Sequence, residues 1–508
     1  MEARTMSEVK ETDTQELPFQ AETKQVLDLM VHSLYTNKEV FLRELIANAS
    51  DALDKVRFLA VTDHALAERV GKPEIRISVD RDAKTIEIED NGIGMTREEA
   101  IENLGTIARS GTMEFLKRIQ GESDDARANL IGQFGVGFYS VFIVSDRVDV
   151  ETLSAKEPEA EAVLWRSSGE GSFVVTKGER DKPGTRVVVH IKGDEHDDFL
   201  SEWRIESLIK KYTEFVSHPI LLGDKAVNQT TALWARSKSE ITDEQYESFY
   251  NHVNGSIEPG KPLARIHFSA DAPIQYNVLL FVPDKAPMDL LMDTKKRGIR
   301  LYAKRMFVMD GCEQLAPQYL QFLRGVVDSE DLSLNVSREM LQDDRKLEVI
   351  KKAIVKQSLK TLQAMADDEP EKYATFYKEF GRLFRLGVSA DMTNQGAIAK
   401  LLRYPTSATQ DEETVSLDTY VERMKEGQKA IYYITGPNLK ALRSSPHLEV
   451  FKRKGVEVIL MHEAVDEWVV SALHTYDKKS LESIAHGTVD LSDLPNVDGS
   501  KDEKEDDK

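Results

Sequence analysis

Apolar residues recur at helical spacing over residues 38–59, where Phe41, Leu42, Leu45, Ile46, Ala49, Leu53 and Val56 fall on one stripe. Residues 22–37 carry the same period, so the pattern predicts two amphipathic helices in succession. The period then changes to two. Ile75, Ile77 and Val79, followed after a short polar turn by Ile86 and Ile88, predict paired strands over 74–80 and 84–90. Further strands are predicted over 141–145, 148–152, 172–177 and 185–192, the last alternating at Val187, Val189 and Ile191. Alternation leaves one face of each strand wet, which predicts a largely antiparallel sheet with helices on one side. Residues 105–129 break the pattern: Gly, Ser, Thr and Asp punctuate them, and 121–125 has no apolar side chain, as a mobile flap would.

A second unit is expected from about Trp234, after a short connector at 222–231, with another boundary at 405–415. Beyond it, apolar strand runs at 429–435 and 456–461 flank a helical stretch at 439–454, which predicts one βαβ crossover and a small parallel sheet. Helical periodicity over 347–365 supplies a connector between the two parts. The fold class is thus α+β and multidomain. The division expected is a flexible tail at 1–18, a first domain at 19–221 with a lid at about 105–135, and a linker at 222–233. A large α/β part with helical connector at 234–405, a small α/β part at 406–490 and a disordered acidic tail at 491–508 complete it.

Composition narrows the function classes. At 508 residues the chain is too long for one core. Its 67 Lys+Arg against 88 Asp+Glu leave a net charge of −21, which disfavours nucleic acid or an anionic membrane as the main partner. The same acidity serves solubility equally well. One cysteine, Cys312, excludes a disulfide framework or a CxxC metal site and suits a reducing compartment. The polar N-terminus has no apolar targeting core, and no run approaches about 18 apolar residues. A cytoplasmic location is expected.

Three separated segments carry chemistry. In Phe41-Leu-Arg-Glu-Leu-Ile-Ala-Asn-Ala-Ser-Asp51, the side chains of Glu44, Asn48, Asp51 and Lys55 form a polar row beside the apolar stripe. In a cleft, such a carboxylate could orient water and such an amide could hold a metal. A solvated helix flank with i,i+4 pairing has the same pattern. In Asp90-Asn-Gly-Ile-Gly-Met95, a carboxylate at a strand end can accept from an exocyclic amine such as that of adenine, and Met95 can pack on a ring. An ordinary Asp-Asn-Gly turn reads identically. In Gly132-Gln-Phe-Gly-Val-Gly-Phe138, successive free N–H groups can form an anion-binding concavity, although no Walker A or dinucleotide fingerprint is present.

Together with Gly184-Thr185, these segments match the ATP-binding pattern of the GHKL superfamily. Phe41–Asp51, Asn103-Leu-Gly-Thr-Ile-Ala-Arg-Ser-Gly111 and Leu334-Asn-Val-Ser-Arg-Glu-Met-Leu-Gln342 closely resemble the heat-shock protein 90 chaperones, nearest to their bacterial branch. Ala232-Leu-Trp-Ala-Arg-Ser-Lys-Ser-Glu-Ile-Thr-Asp243 and Arg423-Met-Lys-Glu-Gly-Gln428 extend the resemblance, which runs from about residue 19 to 481. It implies a GHKL-type α/β sandwich followed by a middle domain, and an ATPase that uses ATP and Mg²⁺. By the same resemblance Glu44 activates the attacking water, Asn48 binds Mg²⁺, and Asp90 holds the adenine amine with Thr185 assisting through water. Gly94 and Met95 line the base pocket. Asp51, Asn103, Leu104, Arg109 and the loop of Gly132, Gln133, Phe134, Gly135, Val136, Gly137 and Phe138 complete the ATP site. Arg338 reaches the γ-phosphate from the middle domain with Gln342 beside it, so turnover requires domain docking.

Two departures stand out. Arg109 replaces the lysine of many relatives, and the chain stops soon after the small βαβ unit, where the family continues with a C-terminal dimerisation domain. A shortened chain, with homodimerisation and efficient turnover in doubt, is therefore expected. The absence of a long charged linker near 222–231 argues against a eukaryotic cytosolic member. The implied partners are non-native client proteins and cochaperones, with client contacts assigned to Glu467 and Trp468 and, more distantly, Trp234. Core tryptophans account for both positions equally well. His32, His64 and His218 have no metal-like spacing and read as structural. Two other functions remain open: a DNA-handling ATPase of the same superfamily, and a nucleotide-gated binding module with negligible turnover.

Overall fold

A computed structural model describes residues 15–18, 38–61, 63–105, 137–157, 159–254, 260–286, 298–332, 345–410 and 413–486, with positions 489, 491, 494 and 495. The expected helix at 22–37, nearly all of the lid and most of the C-terminal tail lie outside the described residues. Leu491 and Leu494, expected in a disordered tail, are instead buried in a core with Ala430, Tyr432 and Ile434.

The first sheet contains β1 (Gln15–Pro18), β2 (Ile75–Asp80), β3 (Thr85–Asp90), β4 (Ser145–Leu153), β5 (Val163–Ser167), β6 (Ser172–Lys177), β7 (Gly184–Ile191), β8 (Ile220–Leu222) and β9 (Lys225–Ala226). They are ordered β1-β6-β5-β4-β7-β3-β2-β8-β9. Every described pairing in it is antiparallel except β2 with β8. Residues 222–231, read as a connector, therefore begin in β8 and include β9 on the edge of this sheet.

Helix α1 (Val40–Ala60) packs across the sheet, and the whole stripe from Phe41 to Val56 is buried. The core it closes includes Ile75, Ile77, Ile86, Ile88, Val148, Val150, Val189 and Ile191. Removing a buried leucine of such a stripe costs about 2–5 kcal/mol, which is why the period of α1 dictates its position. Helix α2 (His64–Val70) starts where Asp63 accepts the Leu66 N–H at 3.0 Å. Helices α3 (Arg97–Gly105) and α4 (Glu202–Tyr212) complete this unit.

The strand expected at 141–145 is corrected. Residues Gly137–Ile143 form a 3₁₀ helix, and β4 begins at Ser145. Ser140 and Ser145 return hydroxyl hydrogen bonds to the Gly137 and Val141 carbonyls, at 2.6 and 2.8 Å, which closes tight turns. A short apolar run has no period that separates strand from helix.

The second unit has a five-stranded sheet of β10 (Ala264–Ala270), β11 (Tyr276–Val282), β12 (Ile299–Ala303), β13 (Met306–Met309) and β14 (Arg324–Ser329), ordered β10-β11-β14-β12-β13. Helix α5 (Asp243–Asn254) lies on one side, and the long α6 (Arg345–Asp368) with α7 (Pro370–Arg385) packs into the core on the other. After the short pair β15 (Arg403–Tyr404) and β16 (Val415–Ser416), a four-stranded sheet holds β17 (Ala430–Thr435), β18 (Ile459–Met461), β19 (Thr475–Tyr476) and β20 (Lys479–Ser483). Strand β17 is parallel to β18, as the crossover predicts. It is also parallel to β20, which the sequence reading did not include, and β19 pairs with β20 antiparallel.

The single helix expected over 439–454 is corrected to two, α8 (Leu439–Arg443) and α9 (Leu448–Arg453). Pro446 sits in the break, has no N–H to continue the ladder, and disfavours helix at the residue before it. Helix α10 (Asp466–Ala472) is tied to α7 by a buried ion pair, Arg385 Nη1 to Asp466 Oδ1 at 3.0 Å. Tyr377 accepts from Arg385 Nε at 3.0 Å, and the Tyr404 ring lies 4.8 Å from the guanidinium.

Candidate functional site

The polar row on α1 runs from inside to outside. Glu44 is buried, while Asn48, Asp51 and Lys55 are exposed. Arg43 clamps Glu44 Oε1 through Nη2 at 2.8 Å and Nε at 3.2 Å. A Cβ on Gly137 would lie 2.3 Å from Glu44 Oε2, so the last glycine of the Gly132–Gly137 loop is pressed against this carboxylate. The structure thus brings Glu44 and Gly137 together, and Phe138 packs beside them on Trp165 at 5.9 Å between ring centroids. One oxygen of Glu44 is held by a cation and the other faces the loop.

Asp90 closes β3 and is buried. Its Oδ1 accepts the Gly92 N–H at 2.8 Å. Gly92 is required by close approach: a Cβ there would meet Ala52 of α1 at 2.8 Å. Burial pushes the Asp90 carboxyl up to about 7, against the pull of the Gly92 N–H and the Arg180 guanidinium. Arg180 lies behind it, bonded to Glu89 Oε1 at 2.8 Å and to the Asp90 carbonyl at 3.2 Å.

Thr152 on β4 joins the remaining pieces. Its Oγ1 accepts the Met95 N–H at 3.0 Å, donates to the Gly184 carbonyl at 3.2 Å, and lies 3.0 Å from Thr185 Oγ1. Asn103 Nδ2 stands 3.9 Å from Met95 Sδ, and the Leu104 carbonyl accepts from Tyr139 at 3.0 Å. Asp90, Gly94, Met95, Asn103, Leu104 and Thr185 therefore belong to one connected neighbourhood. Thr152, Arg180 and Arg43 escaped the sequence reading. Arg43 and Glu44 are adjacent residues, which helical spacing places on different faces.

Gly94 has φ +61, and a Cβ there would lie 1.9 Å from the Leu153 carbonyl oxygen. Gly94→Ala is expected to destabilise the unit by more than about 2 kcal/mol and to abolish ADP binding. Gly71→Ala is the control, since Gly71 has φ +72 with nothing within 4 Å. Thermal unfolding and ADP titration of both variants check this. Equal losses in the two would refute the close-approach argument.

Arg109, Gly132, Gln133, Phe134, Gly135, Val136, Arg338 and Gln342 lie outside the described residues. Asp51 faces the second unit, 3.7 Å from Lys304 Nζ. A cleft of about 840 Å³ opens there, lined among others by Asp51, Lys55, Ile93, Lys156, Lys304 and Arg305. The two tryptophans separate clearly. Trp234 is only 1% exposed, and its indole donates to Asp328 Oδ2 at 2.8 Å, so it is a core residue and the client-contact expectation for it is withdrawn. Trp468 is 63% exposed on α10, beside exposed Glu467. His218 is buried against Asp54 at 3.2 Å, in keeping with its structural reading. No described helix is long and apolar enough to cross a membrane.

Comparison with known proteins identifies the family. A family model described as histidine kinase-, DNA gyrase B- and HSP90-like ATPase matches residues 35–180, and one described as Hsp90 protein matches residues 223–508. Chaperone protein HtpG of Paraburkholderia xenovorans (strain LB400) is 49% identical over 509 residues, covering 96% of this chain and 80% of that protein. The HtpG proteins of Nitrosomonas eutropha and Chromobacterium violaceum are each 48% identical, covering 97% and 96% of this chain and 80% and 79% of their own lengths. A GHKL-type ATPase fold on a mostly antiparallel sheet, a family model spanning more than half the chain and relatives near half identity lead to one conclusion: the chain belongs to the heat-shock protein 90 family.

Proposed function

We propose that this chain is an ATP-dependent molecular chaperone that binds and remodels non-native proteins, driven by ATP binding, lid closure and slow hydrolysis. The observation that carries the reading is Asp90. It is a buried carboxylate with only partial compensation, placed where α1, the Gly94 turn and Thr185 converge. An amine donor from adenine would complete it, and Met95 offers the adjoining apolar wall. Glu44 stands at the glycine-loop end, where phosphates would lie.

The residues present fit Mg²⁺–ATP. Asn48, one turn beyond Glu44 on α1, would hold the ion, which when bound neutralises phosphate charge. Glu44, once one oxygen leaves Arg43, would orient the attacking water and accept its proton. Gly132–Phe138 would cradle the phosphates, and Arg109, Arg338 and Gln342 would supply further contacts. We place the protein in the cytoplasm, clients at Glu467 and Trp468, and the domain boundaries as read from the sequence, except that β1 brings Gln15–Pro18, and β8 with β9 bring 220–226, into the first unit. The clamp of Arg43 on Glu44 favours a second reading, a nucleotide-gated module with negligible turnover. Steady-state hydrolysis by the chain and by Arg338→Ala separates the two. A rate at background for both would overturn the enzymatic reading.

The Asp90 carboxyl also makes a pH prediction. A carboxyl with its folded value near 7, above the ordinary 3.8, binds a proton more tightly in the folded state. Stability of the nucleotide-free protein should therefore fall as pH rises from about 4 to 7. ADP affinity should do the reverse, weakening about tenfold per pH unit below 7 as the acceptor is protonated. Titrations between pH 5.5 and 8 on wild type and Asp90→Asn check this: the wild type should slope, the variant bind weakly and without that slope. A flat wild-type profile would remove Asp90 as the base-reading group.

A further inference from the structure

We propose that Lys304 and Arg305, the two-residue turn between β12 and β13, are positioning residues that couple the nucleotide helix α1 to the second unit. The proposal rests on the ATP reading of α1.

The turn is unusual in its chemistry. Ala303 pairs with Met306 across it, and Lys304 and Arg305 have φ of 49° and 64°. Two consecutive left-handed residues define the hairpin turn for which Asn-Gly is preferred, because a Cβ is strained there. Two cations in its place indicate that the side chains, not the backbone, are what the position needs.

Those side chains reach the first unit. Arg305 Nη1 donates to Ser217 Oγ at 2.9 Å, and Lys304 Nζ lies 3.7 Å from Asp51 Oδ1 on α1. The next residue, Met306, is buried in the core of the first sheet, and Phe307 tilts against Tyr212 of α4 at 6.3 Å. Behind the turn, the Arg305 N–H donates to Asp328 Oδ1 at 3.0 Å, and Trp234 donates to the other oxygen at 2.8 Å. Asp328 is itself buried. One short turn is thus gripped by the second unit at its backbone and by the first unit at its side chains.

The strengths of these contacts decide the role. Lys304 and Asp51 are each about half exposed, at 47% and 52%, so their pair is weak and returns less than the strain of the turn. Arg305 and burial of Met306 hold the turn in place, and the Lys304–Asp51 pair is the nearly balanced contact beside them. Asp51 lies on the same polar row as Glu44 and Asn48, so nucleotide on that row changes what Lys304 meets. A nearly balanced contact is the element through which occupancy of α1 can reset the second unit.

The test is the double variant Lys304→Asn/Arg305→Gly, which relaxes the turn while removing both anchors. Expected are a melting temperature at or above wild type, ADP affinity within about twofold, and kcat lowered roughly fivefold. The distance between one fluorophore on each unit should stop responding to nucleotide. A merely structural turn predicts a lower melting temperature, or unchanged kcat and distance response in a stable variant; either result overturns the proposal. A wild type that neither binds nor hydrolyses ATP refutes the nucleotide reading instead. The turn is then judged by the resting distance distribution, which must broaden in the double variant and would overturn the latch if it did not.

Discussion

Glu44→Gln is expected to lower ATP turnover by about 10²–10⁴, the usual contribution of a positioned general base. ADP and ATP affinity should stay within roughly threefold, because on the proposed reading the residue acts on water and not on the base or ribose. Glutamine is the informative replacement. It keeps an acceptor for the two Arg43 donors at 2.8 and 3.2 Å, whereas alanine would take that partner from a largely buried guanidinium. The contact of Oε2 with Gly137 is also preserved in shape. Single-turnover hydrolysis with parallel binding titrations separates the two effects. Unchanged turnover would mean that another group activates the water, and loss of binding would make Glu44 a ligand contact.

Asp466→Ala is expected to destabilise the second unit by about 3–5 kcal/mol, the cost of breaking a buried ion pair from one side. The side chains of Arg385 and Asp466 are only 7% and 1% exposed. Burial holds the Asp466 carboxyl above its ordinary range even with Arg385 beside it, so solvation lost exceeds attraction gained for this acid. That imbalance makes a second expectation. Replacing both residues, as Arg385→Met with Asp466→Leu, should recover most of the loss, because neither charge is then left alone. Urea unfolding of the single and double variants measures both. The pair also anchors the first turn of α10, so Asp466→Ala should loosen the exposed Trp468 and red-shift its emission. A single variant as stable as wild type would show that water or Tyr377 replaces the lost partner.

The first unit was legible where one period dominates. The stripe of α1 and the strands ending at Asp80 and Asp90 emerge within a residue or two of their expected bounds, because burying one face leaves little freedom of register. The Asp90-Asn-Gly turn was legible as an acceptor next to a sharp bend, but not its shifted protonation, which comes from packing by α1 and β7. Residues 137–143 misled because an apolar run without alternation fits strand and helix alike. Pro446 announced a break that the apolar spacing of 439–454 concealed. The clamp of Arg43 and the reach of Lys304 to Asp51 had no sequence signal. One joins neighbours that helical geometry separates, and the other joins positions more than 250 residues apart.

The placement of Asp90 has a metabolic consequence. On the ATP reading, its carboxylate grips the adenine ring, the part of the molecule that hydrolysis leaves untouched. Spent and fresh nucleotide are then held by the same hand, and only the Glu44 end can tell them apart. Such a protein pauses whenever diphosphate accumulates, so its working rate follows the energy charge of its surroundings as well as the supply of clients.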